Sequence, residues 1–141
     1  MNLIESLGLE PHPEGGYYRQ VYKSPRLVTP DRSAVTAIYF LLTAGQFSRW
    51  HRVRSDEIWI HLEGAPLTLR LFDGSAASST ALTTASRIAT VPANVWQAAE
   101  IDGEYTLVSC IVAPGFEFED FEMMTDATAL AKVAPELMRL V

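Results

Sequence analysis

A chain of 141 residues with 48% hydrophobic and 20% charged side chains has the size and balance of one globular domain, which argues against disorder, collagen-like repeats and a disulfide-stapled miniprotein. Its 11 basic and 17 acidic residues give a formal charge of −6, whereas a protein that tracks nucleic-acid phosphates normally carries a basic footprint. Cys110 is the one cysteine, so there is no intrachain disulfide and no CxxC motif, and within the apolar stretch 107–112 it reads as a small buried residue.

Residues 2–8 carry apolar side chains at 3, 4 and 7 and end in Gly8, the pattern of a short amphipathic helix with a C-cap. No basic region followed by a long apolar stretch opens the chain, and the longest apolar run, 37–42, is far short of the ~20 residues that span a bilayer. A cytoplasmic protein without membrane contact is the expectation. Pro11, Pro13, Gly15 and Gly16 then force irregular backbone. Here His12 reads as a hydrogen-bond partner of local backbone. Glu14-Gly15-Gly16 reads as a turn needing positive φ, with Glu14 capping amides.

From Tyr17 the signal is that of strands: 17–22, 34–42, 47–53, 57–62, 67–72, 87–91, 95–99 and 105–113, with Pro, Gly, Asp or Ser in almost every gap. Many short strands at this spacing predict an all-β sandwich or barrel. The stretch 73–86, almost wholly Gly, Ser, Ala and Thr around Leu82, is expected to be a mobile loop. Apolar residues at 130, 133, 137, 140 and 141 predict a C-terminal helical segment that Pro135 restarts. Nothing reads as a linker or repeat, so residues 1–141 form a single domain.

Seven bases and one acid lie between Arg19 and Arg54, and eight acids and no base between Glu100 and Asp126. That asymmetry has two readings: a cationic mouth for an anionic small molecule, or opposite patches that meet within the fold or across a dimer.

The chemistry is densest in 45–64. Strand alternation puts Phe47, Arg49, His51 and Val53 on one face and, after the turn at Arg54-Ser55-Asp56, Glu57, Trp59 and His61 on one face of the next strand. If both faces point into a barrel, His51 and Glu57 converge beside Arg49 and His61. An imidazole beside a carboxylate in an apolar cavity suits proton transfer.

The spacing Gly45-x5-His51 with Glu57-x6-Gly64 resembles the first motif of the cupins, G-x5-H-x-H-x3-E-x6-G. Their second motif, G-x5-P-x-G-x2-H-x3-N, is answered weakly by Val91-Pro92-Ala93-Asn94-Val95-Trp96-Gln97. The whole chain is more closely similar to the cupin-5 family, a domain of unknown function (DUF985). The likeness rests on His12-Pro13-Glu14-Gly15-Gly16-Tyr17-Tyr18-Arg19, on Trp50-His51-Arg52-Val53 with Ser55-Asp56-Glu57-Ile58-Trp59, on Val91-Pro92-Ala93 with Trp96-Gln97, and on Val112-Ala113-Pro114-Gly115-Phe116.

The resemblance implies a double-stranded β-helix, the cupin jelly-roll barrel, with a short N-terminal helix and a C-terminal helical segment. Metal-binding cupins hold their ion with three histidines and a glutamate. Here His51 and Glu57 match, Val53 and Gln97 replace the other two histidines, and His61 would be a replacement ligand at a position the motif does not predict. A divalent metal would therefore rest on His51, Glu57 and Gln97, and none is required. Without a metal, the nearest chemistry is that of the deoxysugar epimerases and isomerases. The site implied is His51, Glu57, His61 and Tyr39 as acids and bases, with Tyr17 and Tyr18 as further acids. Arg49, Tyr18, Arg19, Trp59 and Gln97 would bind a sugar or nucleotide-sugar, an anionic group being held by Arg49 or Arg19. The alternatives are a non-catalytic metabolite-binding cupin and a metal-dependent enzyme with an incomplete ligand set. A homodimer is implied as well.

Overall fold

The computed structural model describes residues 2–141. The chain begins with helix α1 (Leu3–Ser6), followed by strands β1 (Glu10–Pro11), β2 (Tyr17–Lys23), β3 (Leu27–Thr29), β4 (Arg32–Ser33) and β5 (Thr36–Thr43). Next come β6 (Phe47–Arg52), β7 (Asp56–Gly64), β8 (Leu67–Phe72), β9 (Ala77–Leu82), β10 (Ile88–Val91), β11 (Trp96–Ile101) and β12 (Tyr105–Ala113). A 3-10 turn at Phe118–Asp120, β13 (Glu122–Met123), helix α2 (Thr128–Val133) and a 3-10 segment at Pro135–Leu140 complete it. Pro135 does restart the tail, and Gly8, at φ +64°, closes α1.

Two sheets face each other as a jelly roll, one in the order β1-β2-β5-β12-β7-β10 and one in the order β13-β6-β11-β8-β9, with β3 and β4 as a separate hairpin. The cross-strand register builds the interior in rows. Val112 pairs with Thr36 and Glu57, Cys110 with Ile38 and Trp59, and Val108 with Phe40 and His61. The Trp59 and Phe40 rows, with Leu67, Leu69, Leu82 and Val91, fill one end of the barrel as its main core. The row holding Glu57 lies at the other end, where hydrocarbon gives way to a cavity.

The outer faces are covered unequally. On the five-stranded sheet, Trp50, Phe72 and Ala98 pack under Met124, Leu130, Leu137 and Leu140, and the Trp50 indole N–H donates to the Leu137 carbonyl at 2.9 Å. On the six-stranded sheet, Leu9, Leu41 and Leu107 pack with α1. Among the described residues no helix is long and apolar enough to cross a membrane.

One expectation fails in the fold. Residues 73–86 do not form a loop throughout, because β9 pairs with β8 from Phe72↔Ala77 to Leu67↔Leu82. An exposed edge strand needs backbone partners rather than an apolar face, so its small residues carry no hydrophobic alternation to read; Leu82 alone is buried. The Asp73 carboxylate accepts the N–H groups of Ser75 and Ala76, both at 2.8 Å, and turns the chain into it.

Candidate functional site

The open end of the barrel is a cavity of about 210 Å³. Its polar floor is His12, Glu14, His51 and Glu57, and Phe116, Phe118, Phe121, Val53 and Cys110 are among its apolar walls. His51 and Glu57, singled out from spacing alone, both line it, as does Tyr18.

A β-bulge sets which neighbours His51 keeps. On β6 the register with β11 shifts between Gln97↔His51 and Ala99↔Ser48. The extra residue breaks the period of two, so Ser48 and His51 are both buried while Arg49 turns to solvent. This corrects the expected pairing of Arg49 with His51. The carbonyl left at the bulge faces His51 Nδ1 at 2.7 Å, and a carbonyl only accepts, so Nδ1 carries the proton and Nε2 the lone pair. Nε2 stands 3.4 Å from Glu14 Oε2.

Glu14 does not cap amides as the sequence suggested. Its carboxyl enters the cavity, where the buried Ser48 hydroxyl donates to it. It gets there because Gly15 and Gly16, at φ +111° and +75°, lay the loop against β6 and β5. Burial pushes the Glu14 carboxyl up to about 8, with the Ser48 bond opposing. His12 bonds local backbone as expected, its Nδ1 accepting the Glu14 N–H at 3.1 Å, yet its ring also lines the cavity. Burial, aided by His51, holds it at about 3, so it is neutral. Burial lowers His51 as well, against the pull of Glu57.

Glu57 is held from below. Trp59 Nε1–H donates to Gln97 Oε1 at 2.8 Å, and Gln97 Nε2 donates to Glu57 Oε1 at 2.8 Å. Because an indole only donates, this chain fixes the amide with its nitrogen towards the carboxyl. Burial raises Glu57 to about 7 despite His51 and the Gln97 bond. The Cys110 thiol beside it is pushed well up by burial and by Glu57 and Glu14, an inert residue as its sequence context implied.

Other expected site residues lie elsewhere. His61 shares the face of Glu57 and Trp59 but sits two rows deeper, about 13 Å along the strand, donating from Nε2 to the Ala65 carbonyl at 2.9 Å. Among the described residues its buried Nδ1 has no partner. Tyr39 packs on the outer face with Leu41 and Leu107. Arg19 donates to the Leu7 carbonyl at 3.1 Å and Arg49 reaches the Pro13 carbonyl, so neither guanidinium lines the cavity. Trp59 and Gln97 stand behind Glu57 rather than in the cavity wall. Burial and nearby Glu10 raise the Tyr18 phenol. The metal set does not fit either. Gln97 spends its oxygen on Trp59, Val53 offers no donor, and among the described residues no three His, Cys, Asp or Glu side chains gather around a point that an ion could take.

The aromatic wall comes from a strap, residues 115–122, that the strand reading missed, although the string Phe116-Glu117-Phe118-Glu119-Asp120-Phe121 is conspicuous. Phe121 stacks on His51 with centroids 5.3 Å apart. Four bases from the first half of the chain hold this strap. Lys23 pairs with Glu117 at 3.0 Å, Arg52 with Glu122 at 3.1 Å, and Arg32 and Arg54 both meet Asp120. The charge asymmetry is thus largely opposite patches meeting within the fold.

The family model described as "Cupin superfamily (DUF985)" matches residues 1–124. Among solved structures the chain is similar to a Shewanella oneidensis protein (32% identity, 98% of this chain and 94% of that one, TM-score 0.87). It is also similar to a hypothetical protein from Leishmania major (30% identity, 99% and 96% coverage, TM-score 0.86). A cupin 2 domain-containing protein from Halorhodospira halophila shares the fold at 17% identity, with 94% and 86% coverage and a TM-score of 0.66. None of the curated proteins compared matches.

Proposed function

The chain belongs to the DUF985 family of the cupin superfamily, and we propose that its barrel interior is an active site that isomerises or epimerises a small hydroxy-carbonyl compound of sugar size by moving a proton next to the carbonyl. The observation that carries this reading is the His51 lone pair at Nε2, fixed by the Arg49 carbonyl and set in the cavity at the open end of the barrel with the two raised carboxyls, Glu14 and Glu57. An imidazole lone pair and two carboxyls raised towards neutrality in one cavity are what such a reaction requires.

His51 Nε2 takes the proton from the carbon beside the carbonyl. The electron pair moves onto the carbonyl oxygen, which takes a proton from Glu57 to give an enediol. Protonated His51 then delivers its proton to the former carbonyl carbon while Glu57 recovers one from the neighbouring hydroxyl, giving the isomer. Protonation of the original carbon on its other face by solvent, with Glu57 recovering the oxygen-bound proton and His51 releasing its own, gives the epimer. Glu14, bridging Ser48 and His51, positions the imidazole. The cavity has the volume of about seven bulk waters, which suits a monosaccharide or smaller and leaves the nucleotide of a nucleotide-sugar outside.

The test is exchange in deuterated water with a panel of three- to six-carbon hydroxy-aldehydes and ketones, followed by NMR. At least one compound should exchange its carbon-bound proton about 100-fold faster than with His51→Gln or Glu57→Gln. Exchange no faster than buffer for every compound, or a wild-type rate in His51→Gln, would sink the reading.

The implied homodimer has a fitting surface in the outer face of the six-stranded sheet. There the exposed Ile88 pairs with Ile60, and half-buried Ile58 pairs with Ile111, an apolar patch able to meet its own copy about a two-fold axis. Light scattering should give twice the monomer mass at micromolar concentration, falling to one in Ile60→Glu; a monomeric wild type refutes it.

A further inference from the structure

We infer that this cavity selects a small organic cation, an ammonium compound, rather than the anion that one of the two readings of the charge distribution allowed; the inference rests on reading the cavity as the substrate site. The acids and bases that line it carry the argument. Glu14, Glu57 and Glu117 stand against the single base Lys23, which lies half-exposed at the rim and is already paired with Glu117. Arg32, Arg52 and Arg54 are engaged by the strap, and Arg19 and Arg49 point to backbone carbonyls outside. Among the described residues that line the cavity, an entering anion would meet the lone pair of His51 and no unpaired lysine or arginine to receive it.

The walls favour a cation independently. Phe116, Phe118 and Phe121 lie with ring centroids 4.9 to 6.2 Å apart and inclined at 66° to 81°, and Tyr18 joins Phe118 at 6.3 Å. Rings set at such angles turn faces and edges in several directions around one space, and an aromatic face attracts a positive charge. The two buried carboxyls hold their protons because a lone charge there is heavily penalised; a guest cation lifts that penalty at one of them by pairing with it, and the other keeps a proton for the reaction. A bare metal ion would need converging oxygen and nitrogen donors, which the phenyl walls do not supply, whereas an alkylated ammonium matches both wall and floor.

The experiment compares three probes of one shape by titration calorimetry: choline, its uncharged carbon isostere 3,3-dimethylbutan-1-ol, and the anion 3,3-dimethylbutanoate. Choline should bind about tenfold more tightly than the alcohol, and the carboxylate more weakly than both. The choline-to-alcohol ratio should fall at least threefold in Phe118→Leu, a half-exposed position that tolerates the change, and in Glu57→Gln. Equal binding of choline and the alcohol, preference for the carboxylate, binding of none of the three, or an unchanged ratio in both variants overturns the inference. Proton exchange on uncharged compounds without any preference for choline would overturn it while leaving the proton-transfer reading intact.

Discussion

Gly15→Ala is expected to cost about 3 kcal/mol or more of stability and to withdraw Glu14 from the cavity. A Cβ built on Gly15 would lie 2.2 Å from the Phe47 carbonyl oxygen, and the residue holds φ +111°. The obstacle is main chain on β6, anchored by the bond from the Arg49 N–H to the Glu14 carbonyl at 2.7 Å, so it cannot swing aside as a side chain would. Gly45→Ala is the control. Gly45 also has positive φ, +81°, but a Cβ there meets nothing within 4 Å, so that variant should lose only about 1 kcal/mol, the price of left-handed backbone. Urea unfolding of the two variants reads the difference. Equal losses would mean that the loop relaxes away from β6 and that the approach of His12-Pro13-Glu14-Gly15-Gly16 to that strand does not place the glutamate.

The glycine pair and the strap do complementary work on the same cavity. One brings carboxyl and imidazole in from the N-terminal side; the other lays three phenyl rings across from the C-terminal side. The glycine side is fixed by steric exclusion. The strap is held by bonds from the Gly115 and Phe116 N–H groups to the Ser33 carbonyl and the Thr36 hydroxyl, and by ion pairs, several at exposed positions, each worth at most about 1 kcal/mol and weakened by salt. Of its anchors, Arg32 is the most sheltered, holding Asp120 while also donating to the Gly115 carbonyl at 3.0 Å.

Much of the architecture was legible because alternation survives in β5, β7 and β12, whose inner residues Phe40, Leu42, Trp59, Val108 and Cys110 are large or apolar and buried. Glu57 could be read for the same reason, as an acid on the inward face of an otherwise apolar strand. His61 shows the limit of that reasoning. A period of two gives the face but not the depth, and only pairing with Val108 and Phe40 places it behind the Trp59 row. Arg49 failed differently, through a bulge that no residue in 47–52 announces. Glu14 was misread because its role depends on Ser48 and His51, more than thirty residues away. Local turn chemistry explained the two glycines beside it well enough to hide what they position.

Stability is expected to be greatest between about pH 4.5 and 6.5 and to fall from there to pH 8, lowering the melting temperature by about 10 °C over that last interval. Glu14 and Glu57 titrate at about 8 and about 7 in the folded protein, above the ordinary 4.5, so the native state keeps protons that the unfolded chain releases. More protons on the native side make stability fall as pH rises, from 4.5 until about 8. His12, at about 3 instead of 6.5, works the other way, as does His51 by direction: the unfolded chain binds protons the native state refuses, so stability falls as pH drops below 6.5. Between 4.5 and 6.5 the two effects oppose each other, and above 6.5 the carboxyls act alone. The double variant Glu14→Gln, Glu57→Gln keeps side-chain size and removes both acids, so its melting curve should be nearly flat from pH 6.5 to 8. An equally steep fall in that variant would place the titrating groups outside the cavity, and a flat wild-type curve would mean that both carboxyls are ionised at neutral pH. Glu57 would then have no proton to give the carbonyl oxygen, and the acid in the proposed reaction would have to be sought in another residue.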